Sequence, residues 1–203
     1  MTATALFVPD GPTAFTPTSA AVGPWDREVV HGAAVVALLA GQLSPPEQTL
    51  TRLSVDFLTT VPMASLTLEA GEPVGGRRVQ RQEAVLSCAG RPVATARTVI
   101  VREGELDLPP KALDHPSPFD PAAVPELSEP NRKAAETVGH DSFDSVSLII
   151  EFQRVEGDRR PHAWLSLAVP VVEGTALRGN ELAAVAADYG QSAVHRQLGF
   201  AEW

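Results

Sequence analysis

The stretch WDREVVHGAAVVALLAG, residues 25–41, constrains the fold more than any other, because its apolar residues fall on nearly every helical face. A surface helix shows one apolar stripe, whereas a helix that is apolar all round has to be enclosed by other elements. The flanking residues predict its limits. Asp26 reads as the N-cap, Trp25 can staple onto Val30, Glu28 suits the positive end of the dipole, and Gly41 reads as the C′ glycine. The apolar run at 29–40 is well short of the ~20 residues of a membrane span.

The following residues have strand texture. TRLSVDFL sets Leu53, Val55 and Phe57 against Arg52, Ser54 and Asp56, and SLTLEA sets Leu66 and Leu68 against Ser65, Thr67 and Glu69. RRVQRQEAVLSCAGRPVATARTVIVRE predicts two long strands joined by a turn at AGRP. Consecutive strands with short turns pair antiparallel, so the first unit is a buried helix wrapped by an antiparallel sheet.

Between residues 104 and 143 seven prolines interrupt all periodicity, which suits an extended connector. Beyond it SVSLIIEFQ alternates with Val146, Leu148, Ile150 and Phe152 on one face, HAWLSLAVPVV predicts a further strand, and a helix is expected from about Leu177 to Leu198, ended by Gly199. The expected organisation is an N-terminal unit over 1–103, a proline-rich connector over 104–143, and the start of a second, similar unit over 144–203. In the first unit the helix precedes about four strands; in the second nothing follows it. The expectation is a natural chain that continues past Trp203, with cover by a partner chain as the alternative.

Composition excludes several functions. A net charge of −9 disfavours nucleic acid as the main partner, and Cys88, the lone cysteine, excludes an intrachain disulfide and reads as a buried small hydrophobe. The amino terminus lacks the layout of a secretory signal, and the expectation is a cytoplasmic protein. No metal-spaced His and Cys set, phosphate loop or serine elbow is present, so neither metal nor cofactor is expected.

Six places carry candidate chemistry. On a helical wheel Leu182, Val185, Ala186 and Tyr189 form an apolar stripe with Asp188 at its border, where partial desolvation suits a general base; an exposed surface carboxylate is the alternative. Gln191 and Ser192 stand one turn further on, and His195 two turns, its place near the helix end also explained by the dipole. His31 and Gly32 open the first buried helix, where backbone N–H groups without intrahelical partners could polarise a carbonyl, or where Gly32 only permits close packing. Gly75 and Gly76 predict a turn or bulge. Arg77, Arg78 and Arg81 could locally reverse the field for an anionic ligand, or simply solubilise a strand edge.

Taken together, GPWDREVVHGAAVVALL, RLSVDFLTTVP, GRRVQRQEAVLSCAGRPVATA and ELAAVAADYG occur in the order of the signature stretches of actinobacterial TesB-like acyl-CoA thioesterases, and the chain resembles that family from about Phe15 to Gly199 outside the connector. The resemblance implies an α+β double hotdog, a sheet wrapped around a long helix twice over, with the second hotdog incomplete. It implies Asp188 as catalytic aspartate, a hydroxyl residue and a glutamine from later strands absent from this sequence, and hydrolysis of an acyl thioester of coenzyme A between the two helices. Substrate contacts are expected from His31, Gly32, Arg77, Arg78, Arg81 and Tyr189, with the arginines meeting nucleotide phosphates, and a homo-oligomer is expected. Two alternatives stand beside the hydrolase: a non-catalytic acyl-CoA-binding or scaffold protein of the same fold, and a hotdog enoyl hydratase.

Overall fold

The computed structural model describes residues 4–45, 48–105, 107, 109, 143, 147–153 and 162–198, with 149–153, 162 and 191–198 described by their main chain. Two short strands, β1 (Phe7–Pro9) and β2 (Ala14–Pro17), and a 3-10 turn at Ser19–Ala21 precede helix α1 (Gly32–Gln42). There follow β3 (Gln48–Phe57), β4 (Leu66–Ala70), β5 (Val74–Gly75), β6 (Val79–Cys88) and β7 (Arg91–Arg102). After the connector come β8 (Leu148–Gln153), β9 (His162–Leu167) and helix α2 (Gly179–Leu198).

Strands β1 to β7 form one antiparallel seven-stranded sheet in the order β1-β2-β4-β6-β7-β3, with β5 on β6. The β6–β7 hairpin turns through Ala89 and Gly90, both at positive φ (48° and 74°), the geometry that matches the twist of paired strands. Gly75 sits at φ 142°, where a Cβ would stand 2.5 Å from the Val79 carbonyl, so the expected turn glycine is required there by its backbone. Strands β8 and β9 pair with each other separately, and residues 170–173 run beside β1 through Leu6 N–H to Pro170 O (3.0 Å) and Phe7 N–H to Val171 O (2.9 Å).

Register explains why the sheet closes on α1. A bulge at Thr51 in β3 keeps Leu50, Leu53, Val55 and Phe57 on one face, opposite Ile100, Thr98, Ala96 and Ala94 of β7. Arg52, Ser54 and Asp56 take the other face, where Arg97 meets Asp56 (3.8 Å) and Glu83 (3.4 Å). These ion pairs are exposed and contribute little. Helix α1 fills the concave side, with Ala33, Ala34, Val35, Ala37, Leu38, Leu39 and Ala40 all buried. Cys88 is half-buried and packs on the same core.

Two helix limits differ from expectation. Residues 25–30 are not helical: Val30 N–H donates to Val61 O (2.7 Å) and Met63 N–H to Glu28 O (2.8 Å), so the β-branched pair Val29–Val30 is held as extended bridges. Asp26 instead accepts from Glu28 N–H (2.9 Å) in a local turn, and Trp25 is exposed, so neither the cap nor the staple forms. The N-cap of α1 is His31, and Gly41 lies inside the helix rather than beyond its end. The connector lies almost wholly outside the described residues. Among the described residues no helix is long and apolar enough to cross a membrane.

Candidate active site

Helices α1 and α2 pack antiparallel, and two glycines of α1 mark the seam. A Cβ on Gly41 would run into the Glu181 carboxylate near the start of α2, whereas one on Gly32 would meet Asp188 Oδ1 at 3.7 Å, Oδ2 at 3.8 Å and Phe57 Cζ at 3.8 Å. The seam face of α2 is Glu181, Leu182, Val185 and Tyr189 at helical spacing, while Ala186 is exposed, so the expected stripe was one position wide of the truth there.

The Gly41 end is held by hydrogen bonds. Arg178 Nη1 donates to Gly41 O (2.8 Å) and Nη2 to Ser44 O (2.6 Å), which places a guanidinium on the last carbonyls of α1. Glu181 accepts from Arg178 N–H (2.8 Å), the reach-back half of a capping box on α2. Asn180 Nδ2 donates to Ala40 O and Ser44 Oγ, both at 2.7 Å. Glu181 is 2% exposed, and burial raises its pKa against the opposing pull of the Arg178 N–H and guanidinium.

The Gly32 end is different. Among the described residues the Asp188 carboxylate has no hydrogen-bond or ion-pair partner, and burial on the side facing Gly32 and Phe57 pushes its pKa above the usual value although its outer side is exposed. The positive end of the α1 dipole lies alongside and favours the ionised form. Ala33 N–H donates to His31 Nδ1 (2.9 Å), and Ala34 and Val35 N–H donate to His31 O (3.0 and 3.2 Å). Among the first-turn donors of α1, the Gly32 N–H is left without an acceptor among the described residues.

His31 therefore has its proton on Nε2, since Nδ1 accepts. Its ring stacks on Phe143 (centroids 4.7 Å, planes 24° apart) and on Tyr189 (5.8 Å, 13°), and burial lowers its pKa to about 4. The imidazole is thus a neutral helix cap at physiological pH.

A cavity of about 380 Å³ opens beside Asp188 between β3 and α2. Of the residues expected at the site, His31, Gly32, Asp188 and Tyr189 come together. Arg77, Arg78 and Arg81 do not join them: they line a separate open groove of about 770 Å³ with Gly75, Gly76 and Val79, which shares no residue with the Asp188 cavity. The side chains of Gln191, Ser192 and His195 lie outside the described residues. Sequence reasoning missed Arg178, Asn180 and Glu181, although RGNE before an apolar run carries the N3 glutamate of a helix start. Among the described residues no group of His, Cys, Asp and Glu is placed to hold a metal ion.

No protein-family model and no curated protein matches the chain. Solved structures do. A conserved protein of unknown function with hot dog fold from Alicyclobacillus acidocaldarius aligns with 95% of this chain and 69% of its own, at TM-score 0.58 and 18% identity. A predicted thioesterase from Bacillus stearothermophilus aligns with 45% of this chain and 78% of its own, at TM-score 0.41 and 16% identity. The E. coli PaaI protein from the phenylacetic acid degradation operon gives 45% and 70%, at 0.41 and 17%. The chain has the hotdog fold, an antiparallel sheet curled around a helix, in the α+β class.

Proposed function

We propose that the protein is an acyl-CoA thioesterase in which Asp188 activates water. The observation that carries this reading is the position of Asp188, without a hydrogen-bond partner among the described residues, beside Gly32 at the start of α1 and in the wall of a mostly apolar cavity. A thioester carbonyl seated there would receive the Gly32 N–H on its oxygen, with the dipole of α1 behind it, so charge developing on that oxygen is stabilised. Asp188 takes a proton from water as the hydroxide adds to the carbonyl carbon. Collapse of the tetrahedral adduct breaks the C–S bond and expels coenzyme A thiolate, a good leaving group that needs no strong acid. His31, neutral and held by Phe143 and Tyr189, positions the Gly32 N–H and takes no proton itself.

On this reading the TesB-like double hotdog gives the layout, residues 1–103 form its first unit, and α2 belongs to the second. The arginines at 77, 78 and 81 serve phosphate groups only if the nucleotide crosses the sheet from the Asp188 cavity. A non-catalytic acyl-binding protein is the second reading, favoured by one observation: among the described residues no hydroxyl or amide side chain bonds to Asp188. Release of free coenzyme A thiol from acyl-CoA separates the two readings. The thioesterase releases it, and Asp188→Asn lowers kcat by about 10²- to 10⁴-fold. Undiminished turnover in the variant removes Asp188 from the chemistry, and tight binding without release establishes the second reading.

A further inference from the structure

The cavity beside Asp188 has a direction and a length. On α2 it is lined by Asn180, Ala183, Ala184, Ala187 and Asp188. Their spacing, i, i+3, i+4, i+7 and i+8, places them on one helical face that runs from the carboxylate to the amide. At the α-helical rise, the eight steps from Asp188 back to Asn180 cover about 12 Å. Across from this face β3 supplies Leu50, Leu53, Val55 and Phe57 together with Thr51 and Arg52, so the helix wall between the two polar ends is methyl groups and the strand wall is mostly apolar with one hydroxyl and one guanidinium residue in it.

The Asn180 amide has no spare donor. Asn180 gives both of its side-chain hydrogens away, to Ala40 O and Ser44 Oγ, each at 2.7 Å. A polar chain terminus would find no donor in that amide, whereas a terminal methyl group loses nothing by meeting it. The alanines matter for the same reason. A larger side chain at 183, 184 or 187 would take up space in the cavity, which is open to solvent along Ala183 and Ala187.

Resting on the thioesterase reading, we propose that this cavity is a ruler for straight apolar acyl chains, with Ala184 and Ala187 as the residues that set the accepted length. An extended chain advances roughly 3.3–3.6 Å per three bonds, about 1.2 Å per bond, so about 12 Å admits a chain of about eight to ten carbons. Its carbonyl lies at Asp188 and Gly32, and its methyl end reaches Asn180. Shorter chains leave apolar wall exposed to water; longer ones have to leave the cavity past Asn180.

The test uses the full chain with two series of ligands, acyl-CoA from acetyl to palmitoyl for kcat/KM, and non-hydrolysable S-alkyl-CoA thioethers of matching lengths for binding by calorimetry. Affinity should rise by roughly two- to fourfold per added methylene up to about ten carbons and then level or fall. Ala184→Leu, one helical turn before Asp188, should move the break to about four to six carbons, with a loss that grows with chain length. Ala187→Leu, next to the carboxylate, should suppress all but the shortest chains. A break that stays where it was in both variants, or a loss equal at every chain length, overturns the ruler. Ala183→Leu, at an exposed position, makes the same test where Ala184→Leu fails to fold. Hydrolysis with a flat length profile removes the ruler and leaves the thioesterase reading standing; a length break in thioether binding without any hydrolysis does the reverse.

Discussion

At one end of the α1–α2 seam Gly41 faces Glu181, and at the other Gly32 faces Asp188. The two pairs have the same make-up, a glycine of α1 opposite an acid of α2. Their surroundings make them opposites. Glu181 is enclosed, accepts from Arg178 N–H at the start of its own helix and has the Arg178 guanidinium nearby, while Arg178 and Asn180 bond across to α1. Asp188 has neither donor nor cation among the described residues and opens onto a cavity. A buried carboxylate with partners fixes structure, while one that faces both water and a cavity is free to exchange a proton there. One acid is enclosed at the seam and the other stands open to the cavity.

Three results would break or sharpen this contrast. The largest concerns the Asp188 end through its cap. His31 is neutral when folded, with a pKa of about 4 against 6.5 unfolded. Its contribution is complete above the unfolded value, and it is lost as pH falls from about 6.5 towards 4, because the unfolded chain binds the proton more readily. His31→Asn keeps an acceptor for Ala33 N–H but cannot titrate, so wild type should lose about 2 to 3 kcal/mol relative to the variant across that window. Urea unfolding of both proteins from neutral to acid pH measures this, and parallel stability curves would refute the buried neutral cap.

Next in size is the bolted end. Gly41→Ala drives a methyl into Glu181, whose Cδ would also stand 3.2 Å from it. Overpacking there should cost about 1 to 3 kcal/mol, read as a lower melting temperature with kcat of the folded enzyme retained. An unshifted melt would mean that Glu181 moves aside freely and is no bolt.

The smallest effect is at the Asp188 end. Gly32→Ala places its methyl at ordinary contact distance from Asp188, and alanine suits a helix better than glycine, so stability should hold or rise by up to about 1 kcal/mol. The methyl nevertheless stands between the carboxylate and the helix terminus, and kcat/KM should fall by about tenfold, or about 1.4 kcal/mol. Equal falls in stability at both glycines would erase the distinction between the two ends.

Much of this was legible in the chain. The all-round apolarity of residues 32–41 required an enclosing sheet, and alternation in β3, β4, β6 and β7 located it, down to the turn at Ala89–Gly90. Asp188, Gly32 and His31 could be picked out because each is an exception to an apolar pattern, whereas Tyr189 belongs to the stripe and came from the family resemblance. The early start assigned to α1 failed because Asp26 is as competent in a turn as at a cap, and the choice was made by long-range pairing of Val29 and Val30 with residues 61–62. Gly41 looked like a helix stop for want of any sign that Glu181, remote in sequence, fills the space above it. Local signals cannot report which glycine a distant side chain needs. Nor did the sequence show that the arginines of the β5–β6 turn line a groove separate from Asp188.

The measurement that bears most directly on the account is a paired one, turnover and thermal stability of Asp188→Asn on the same preparation. A carboxyl whose pKa is raised by folding is a strain when ionised, so replacing it with a neutral amide should leave the melting temperature unchanged or higher at neutral pH while thiol release from acyl-CoA collapses. A variant that melts early yet hydrolyses acyl-CoA as fast as wild type, molecule for folded molecule, would show that Asp188 is a structural acid like Glu181 and would contradict the account.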